Sequence, residues 1–331
     1  MKKNVINFLI LILITILVLY FSLKNDYNEI INTIKNMNLI LFIIAILIYM
    51  MYMLIKSIIM KIVVKYFKND YTLKQSFRMG LETNFFHAIT PFATGGQPYE
   101  IYRLNKDGIS VINAASVSIQ NFIIYQTALV LLGIFAVIYN YIFKLFPNVS
   151  LLKNLVLLGF IINFLVIVVL FSITYFEKLN KVVVNFIINL LAKLKIIKNK
   201  EEKVKKFEKY LSDFNEGSKI LLKDKRKFLI LVLLQLLSLS LLYLVPYFII
   251  KGVGLNVSIV NVIVTSAYVM LIGAFVPIPG GTGGLEYGFI SFYGNFITGP
   301  SLNAIMLLWR FITYYFGMIL GAIILGLRKK A

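Results

Sequence analysis

Residues 276–288 read VPIPGGTGGLEYG, and residues 90–100 read TPFATGGQPYE. Both interrupt a chain that is 60% apolar and consists largely of Ile, Leu and Phe runs. In each, a proline (Pro91, Pro277) precedes a glutamate (Glu100, Glu286) by nine positions, with Thr-Gly-Gly between them: Thr94, Gly95, Gly96 and Thr282, Gly283, Gly284. Proline cannot continue a helix, and glycine admits backbone conformations closed to other residues, so each stretch reads as a break between two helical segments.

Outward from these breaks the chain belongs to the membrane class. Its mean hydropathy is +0.85. Only 15% of its 331 residues are charged, against about 25% in an ordinary soluble domain. Apolar stretches at 5–21, 39–64, 114–143, 155–176, 228–250, 257–276 and 302–327 reach or approach the ~18 residues that cross ~30 Å of hydrocarbon. The expected fold is all-α, a polytopic helix bundle forming one transmembrane domain over residues 1–331. The first stretch follows Lys2 and Lys3 as a secretory signal would, but no small-residue cleavage site follows it before Asn25 and Asp26, which predicts a retained helix.

The chain has no cysteine and one histidine, His87. Disulfides, thiol catalysis and thiolate metal sites are excluded, a histidine cluster cannot be built, and no cofactor or metal is expected. His87 reads as a hydrogen-bonded packing residue. The net charge of +20 lies in loops between spans, where topology and anionic lipid account for it without nucleic acid.

Of 34 Lys/Arg, fifteen fall within 177–227, against seven Asp/Glu. This segment therefore reads as a cytoplasmic, amphipathic and basic connector. Counting spans from it places both termini inside only if the short segment 285–298 also crosses, for eight crossings in a cell membrane; with seven, Arg328, Lys329 and Lys330 would lie outside. For the first break, Thr72 and Gln75 make a capping box that opens a helix at Leu73. That helix is expected to dip in from the cytoplasmic side as a re-entrant element ending at Pro91. Non-helical backbone at membrane depth must be buried in protein or line a wet cavity. Paired Gly/Pro interruptions point to a transporter's binding site.

The candidate substrate-binding set is drawn from both breaks: Pro91, Thr94, Gly95, Gly96, Gln97, Glu100 and Arg103, and Pro277, Gly280, Gly281, Gly283, Gly284 and Glu286, with Arg310. Two readings of the glycines stand side by side. Their N–H groups could converge on a lipid phosphate, or the glycines could simply permit tight turns. Glu286, within a span, requires a partner. Arg310 is the candidate, unless Trp309 marks the interface and Arg310 snorkels to headgroups. Glu100, Tyr102 and Arg103 are expected at the cytoplasmic boundary. Gln120, Asn121, Gln126 and Gln235 are expected in helix–helix hydrogen bonds. No nucleophile–His–acid set, P-loop or dinucleotide fingerprint is present.

At 90–110 (TPFATGGQPYEIYRLNKDGIS) and 277–289 (PIPGGTGGLEYGF) the chain resembles the flippase-like membrane domain of the lysylphosphatidylglycerol synthase family, the multiple peptide resistance factors. The resemblance implies translocation of an aminoacylated phospholipid, coupled in full-length members to a cytosolic domain that moves lysine from lysyl-tRNA onto phosphatidylglycerol. This chain stops at GLRKKA soon after the last span, so a stand-alone form is expected. Three functions follow: a translocase for phosphatidylglycerol, its lysyl derivative or another phospholipid; a phosphatidylglycerol lysyltransferase, the one reading that needs a nucleic acid, lysyl-tRNA; and a membrane scaffold for a separate cytosolic enzyme. Assembly as a homo-oligomer is compatible with each.

Overall fold

The computed structural model describes residues 27–147, 149–175, 223–273 and 276–328, together with Phe214, Glu216, Gly217, Lys219 and Ile220. The expected first span at 5–21 and most of the 177–227 connector lie outside the described residues. Those described contain helices and no strand.

In chain order the helices are α1 (Tyr27–Lys35), α2 (Leu39–Val64), α3 (Leu73–Ala88), α4 (Gly96–Lys106), α5 (Val111–Phe143), α6 (Ser150–Tyr175), α7 (Lys225–Gly252), α8 (Ile259–Gly273), α9 (Gly284–Tyr293) and α10 (Pro300–Arg328). Five of them, α2, α5, α6, α7 and α10, are long and apolar enough to cross a membrane. Their starts are written in the sequence. The Asn38 side chain accepts from the N–H groups of Ile40 and Leu41 at the head of α2. Thr72 and Gln75 close the capping box of α3 reciprocally, at 3.2 and 2.8 Å. Ser110 caps α5 and Asp224 caps α7. Each cap satisfies N–H groups that the first helical turn leaves without partners. Large apolar side chains such as Leu47, Leu165, Leu233 and Ile323 stay exposed, as expected of helices whose outer solvent is lipid.

Four of the five shorter helices, α3, α4, α8 and α9, form two hairpins. In the first, Phe86 stacks on Tyr99 at 4.2 Å, and the Tyr99 hydroxyl donates to Glu82 at 2.6 Å. Thus α4 runs back along α3. In the second, Gly273 packs on Leu285, Tyr268 meets Phe292 at 5.4 Å, and the Tyr293 hydroxyl donates to the Val262 carbonyl at 3.1 Å. Thus α9 runs back along α8. The stretches 257–276 and 285–298, counted as two crossings in the sequence, are therefore the two arms of one re-entrant hairpin. With 15 and 10 residues the arms are about 22 and 15 Å long, short of ~30 Å of hydrocarbon. Two arms that return to one side contribute no net crossing, and neither do two crossings, so the parity inferred from charge is the same.

The hairpins enter from opposite sides. The base of the first lies where α2 ends and α5 begins, with Lys68 Nζ donating to the Asp107 carbonyl at 2.6 Å. The base of the second lies where α10 begins. There α1 packs on the start of α10, and the Asn38 N–H donates to the Gly252 carbonyl at 2.9 Å, joining the head of α2 to the end of α7. The two tips touch.

The tips are the same turn. Pro91–Ala93 and Pro279–Gly281 are each a single 3-10 turn, with left-handed φ of 53° at Phe92 and Ala93, and of 66° and 63° at Gly280 and Gly281. The threonine that follows folds its hydroxyl back onto the proline carbonyl in both, Thr94 to Pro91 at 3.0 Å and Thr282 to Pro279 at 2.9 Å. In this common register Pro91 corresponds to Pro279 rather than Pro277, and Glu286 corresponds to Pro98 rather than Glu100. The shared nine-residue offset in the sequence is therefore not a structural equivalence.

Helix α10 closes against α3 and α2 through glycines. A Cβ on Gly321 would run into the Leu81 carbonyl oxygen, and one on Gly317 into the Tyr49 hydroxyl. Gly321→Val is expected to destabilise the fold by roughly 1–3 kcal/mol through overpacking, seen as a lower melting temperature in detergent. An unchanged melting point would mean that α10 does not need this close approach.

Candidate functional site

The second tip is held from one point on α10. Arg310, 4% exposed, lies ten residues beyond Pro300. Its Nε donates to Glu286 Oε1 at 2.6 Å, and its Nη2 donates to the Gly280 carbonyl at 2.9 Å and to Thr282 Oγ1 at 3.4 Å. The other carboxylate oxygen of Glu286 accepts from the Gly283 N–H at 2.7 Å, capping α9 with negative charge at the positive end of its dipole. The carboxylate, guanidinium and turn carbonyl thus satisfy one another, which a buried ion pair requires. Arg310 is therefore the partner of Glu286 and does not snorkel to the surface. Trp309 does not mark an interface either: it is buried and stacked on Phe289 at 4.8 Å.

Immediately after Arg310, residues Phe311–Phe316 form a π-helical segment. Such wide turns displace side chains from α-helical register and recur at functional sites. This one presents Tyr314 to both tips. Its hydroxyl donates to the Ala88 carbonyl at the end of α3 at 3.0 Å, its ring sits 4.5 Å under the Arg310 guanidinium, and Gly280 packs directly on that ring.

Between the tips and α2, α5, α7 and α10 lies a cavity of about 680 Å³, within the usual range for ligand sites of roughly 300–1,000 Å³. Its charged lining comes from Lys56, Glu100 and Arg310, and its neutral polar lining includes Asn84, Asn121 and Thr313. Such a lining can accommodate a hydrated or ionic group that bare hydrocarbon rejects.

The predicted residues divide into two groups around this cavity. Thr94, Gln97, Glu100, Gly280, Gly281 and Arg310 line it. Glu286 stands behind Arg310 as its counter-charge. Pro91, Pro277, Gly95, Gly96, Gly283 and Gly284 are outside the lining and shape the turns: the N–H of Gly95 is bonded to Thr90 Oγ1, that of Gly281 to the Ile278 carbonyl, and that of Gly283 to Glu286. Gly96 lies under the His87 ring, whose Nδ1 meets the Ala93 carbonyl. For Gly95, Gly281 and Gly283 the tight-turn reading holds, because their donors are already used.

Two residues sit elsewhere than expected. Glu100 is 9% exposed and turned into the cavity, with Oε2 accepting from Ser118 Oγ at 3.0 Å, so it is not a boundary residue. Arg103 is outside the cavity, bonded one turn on to Asp107 at 2.6 Å. Of the polar residues expected in helix–helix bonds, Gln126 bridges to Asn163 at 2.6 Å, and Gln120 donates to the carbonyl of Gly217, a helical residue of the connector, at 2.7 Å. Asn121 and Gln235 face the cavity.

Sequence reasoning missed Lys56 and Glu82. The signal for Lys56 was present, an ammonium inside the apolar run 39–64 and more than a turn before Lys61 in the last turn of α2, where an ionisable residue is by default functional. Glu82, wholly buried in α3, accepts from Arg328 at 2.9 and 3.1 Å and from Tyr99. It ties the first hairpin to the far end of α10.

Fold and site together define a multi-pass membrane protein of helical type, in which two re-entrant hairpins meet over a charged cavity. A model of the lysylphosphatidylglycerol synthase TM region matches residues 6–321, and the chain belongs to that family. It is also similar to a UPF0104 membrane protein of Archaeoglobus fulgidus, 26% identical over an alignment of 323 residues, with 94% of each chain covered.

Proposed function

We propose that the chain is a lipid translocase of the flippase kind, carrying a phospholipid headgroup between leaflets through the cavity while the acyl chains stay in lipid. The observation that carries this reading is the position of the 680 Å³ cavity with its few charged side chains, at the meeting point of hairpins that enter from opposite sides. A charged group at the centre of a bilayer costs roughly 2.5–3.5 kcal/mol even on the most lenient scales. Lys56 and Glu100 supply the partners that offset this cost. The cavity needs no cofactor for such a step, and its residues act by solvation alone.

Arg310 and Glu286 serve the tip in this scheme, and Tyr314 couples the two tips. Movement of either hairpin along α10 would open the cavity towards one leaflet at a time. The test is fluorescent phosphatidylglycerol in proteoliposomes, with dithionite added outside. Wild-type protein is expected to render inner-leaflet probe accessible well above the rate of empty vesicles. Equal rates in the two preparations would reject the reading.

A further inference from the structure

The cavity has a second charged end that neither break supplies. Lys56 lies eight residues before the end of α2, with its ammonium 5.3 Å from the centre of the Tyr52 ring and no ion pair among the described residues. Across the α2–α7 seam, Ser238 Oγ donates to the Tyr52 carbonyl at 3.2 Å. One turn earlier on α7 is Gln235, 2% exposed, whose Nε2 is buried without an acceptor. A buried donor with no acceptor is costly, and buried polar groups as a rule have partners. Both residues line the cavity, so an ammonium that makes no close ion pair, its charge felt by Glu100, and an amide donor without an acceptor sit at its α2–α7 wall. By contrast, the charge of Arg310 is already committed to Glu286.

We propose that Lys56 and Gln235 form the subsite that reads an anionic phosphate oxygen of the headgroup, and that Lys56 sets a preference for anionic over zwitterionic lipid. This rests on the translocase reading and deepens it. Glu100 completes the subsite from α4. One of its oxygens is held by Ser118 and the other is available to a hydroxyl or amine donor on the same headgroup. Because Glu286 is neutralised by Arg310, no carboxylate beyond Glu100 is left among the cavity's charged groups to favour a headgroup of net positive charge.

Trp309 is the sole tryptophan and lines the cavity, so its fluorescence reports occupancy without any transport. Purified full-length protein in detergent is titrated with short-chain phosphatidylglycerol, short-chain phosphatidylcholine and inorganic phosphate. For phosphatidylglycerol, Lys56→Gln is expected to weaken binding roughly tenfold or more, the usual weight of a charge-assisted hydrogen bond. Lys56→Arg should stay close to wild type, Gln235→Leu should show a smaller loss, and phosphatidylcholine binding should be unmoved. Lys56→Gln binding phosphatidylglycerol like wild type overturns the proposal. So does an equal loss for both lipids, which would report general damage and is checked by melting temperature. A Lys56-dependent response to inorganic phosphate supports the phosphate chemistry, whereas a response to phosphate with none to lipid overturns the lipid source. If wild type fails to move lipid in vesicles while Lys56-dependent binding persists, the transport reading falls and the subsite stands.

Discussion

Arg310→Met is expected to lower stability by about 3–5 kcal/mol, because removing one member of a buried ion pair leaves the other charge uncompensated. Glu286 would remain 4% exposed in the second tip with only the Gly283 N–H to hold it, and the Gly280 carbonyl would lose its donor. Thermal unfolding in detergent checks this. Glu286→Gln combined with Arg310→Met removes the stranded charge while keeping an acceptor for Gly283, so the double variant should recover much of the lost melting temperature. Its lipid movement should stay low, because the tip has still lost the guanidinium that held the Gly280 carbonyl and Thr282. Arg310→Lys should fall between: one ammonium keeps the charge but cannot reproduce the guanidinium fork that reaches Glu286, Gly280 and Thr282 together. Wild-type melting for Arg310→Met would show that the tip is held by something else.

Gly280→Val should be the next most damaging change, at roughly 2–5 kcal/mol. Two costs add. The left-handed φ of 66° at Gly280 disfavours a residue with a Cβ by about 1–2 kcal/mol, and for a β-branched one it is a genuine outlier. The new side chain must also enter the Tyr314 ring, an overpacking worth about 1–3 kcal/mol. Because Tyr314 also holds the Ala88 carbonyl of the first hairpin, displacing it loosens both tips, and translocation should fall with stability. A double-mutant cycle with Tyr314→Ala separates the two terms: the steric part should be relieved and the backbone part should persist. Additive losses in that cycle would mean that Gly280 and Tyr314 do not meet.

The two tips show why local sequence carried some of this and not the rest. The threonine that folds onto its proline, and the capping box at Thr72 and Gln75, act over three residues, so they are legible as spacing. The sequence of the first tip nevertheless hides its kinship with the second, because Phe92 and Ala93 take the left-handed conformation that Gly280 and Gly281 announce. Matching prolines to glutamates consequently selected a register two residues off. Glu100 and Arg103, three positions apart on α4, were expected together at a boundary. What packs at each level of the helix decides it instead: Ser118 of α5 and the cavity meet Glu100, whereas Arg103, one turn nearer the end of α4, meets Asp107.

Taken alone, the sequence determined that the chain is a helical membrane protein, that it breaks twice, and that Glu286 requires a cation from a neighbouring span. These follow from hydropathy over ~18 residues, from backbone chemistry, and from the cost of an unpaired charge in hydrocarbon. Only the tertiary structure decided that each break is the tip of a hairpin, that the tips meet from opposite sides, and that Lys56, Glu100 and Gln235 share one cavity. Those outcomes depend on which helices touch, and such contacts are set by packing that no short window of the chain contains.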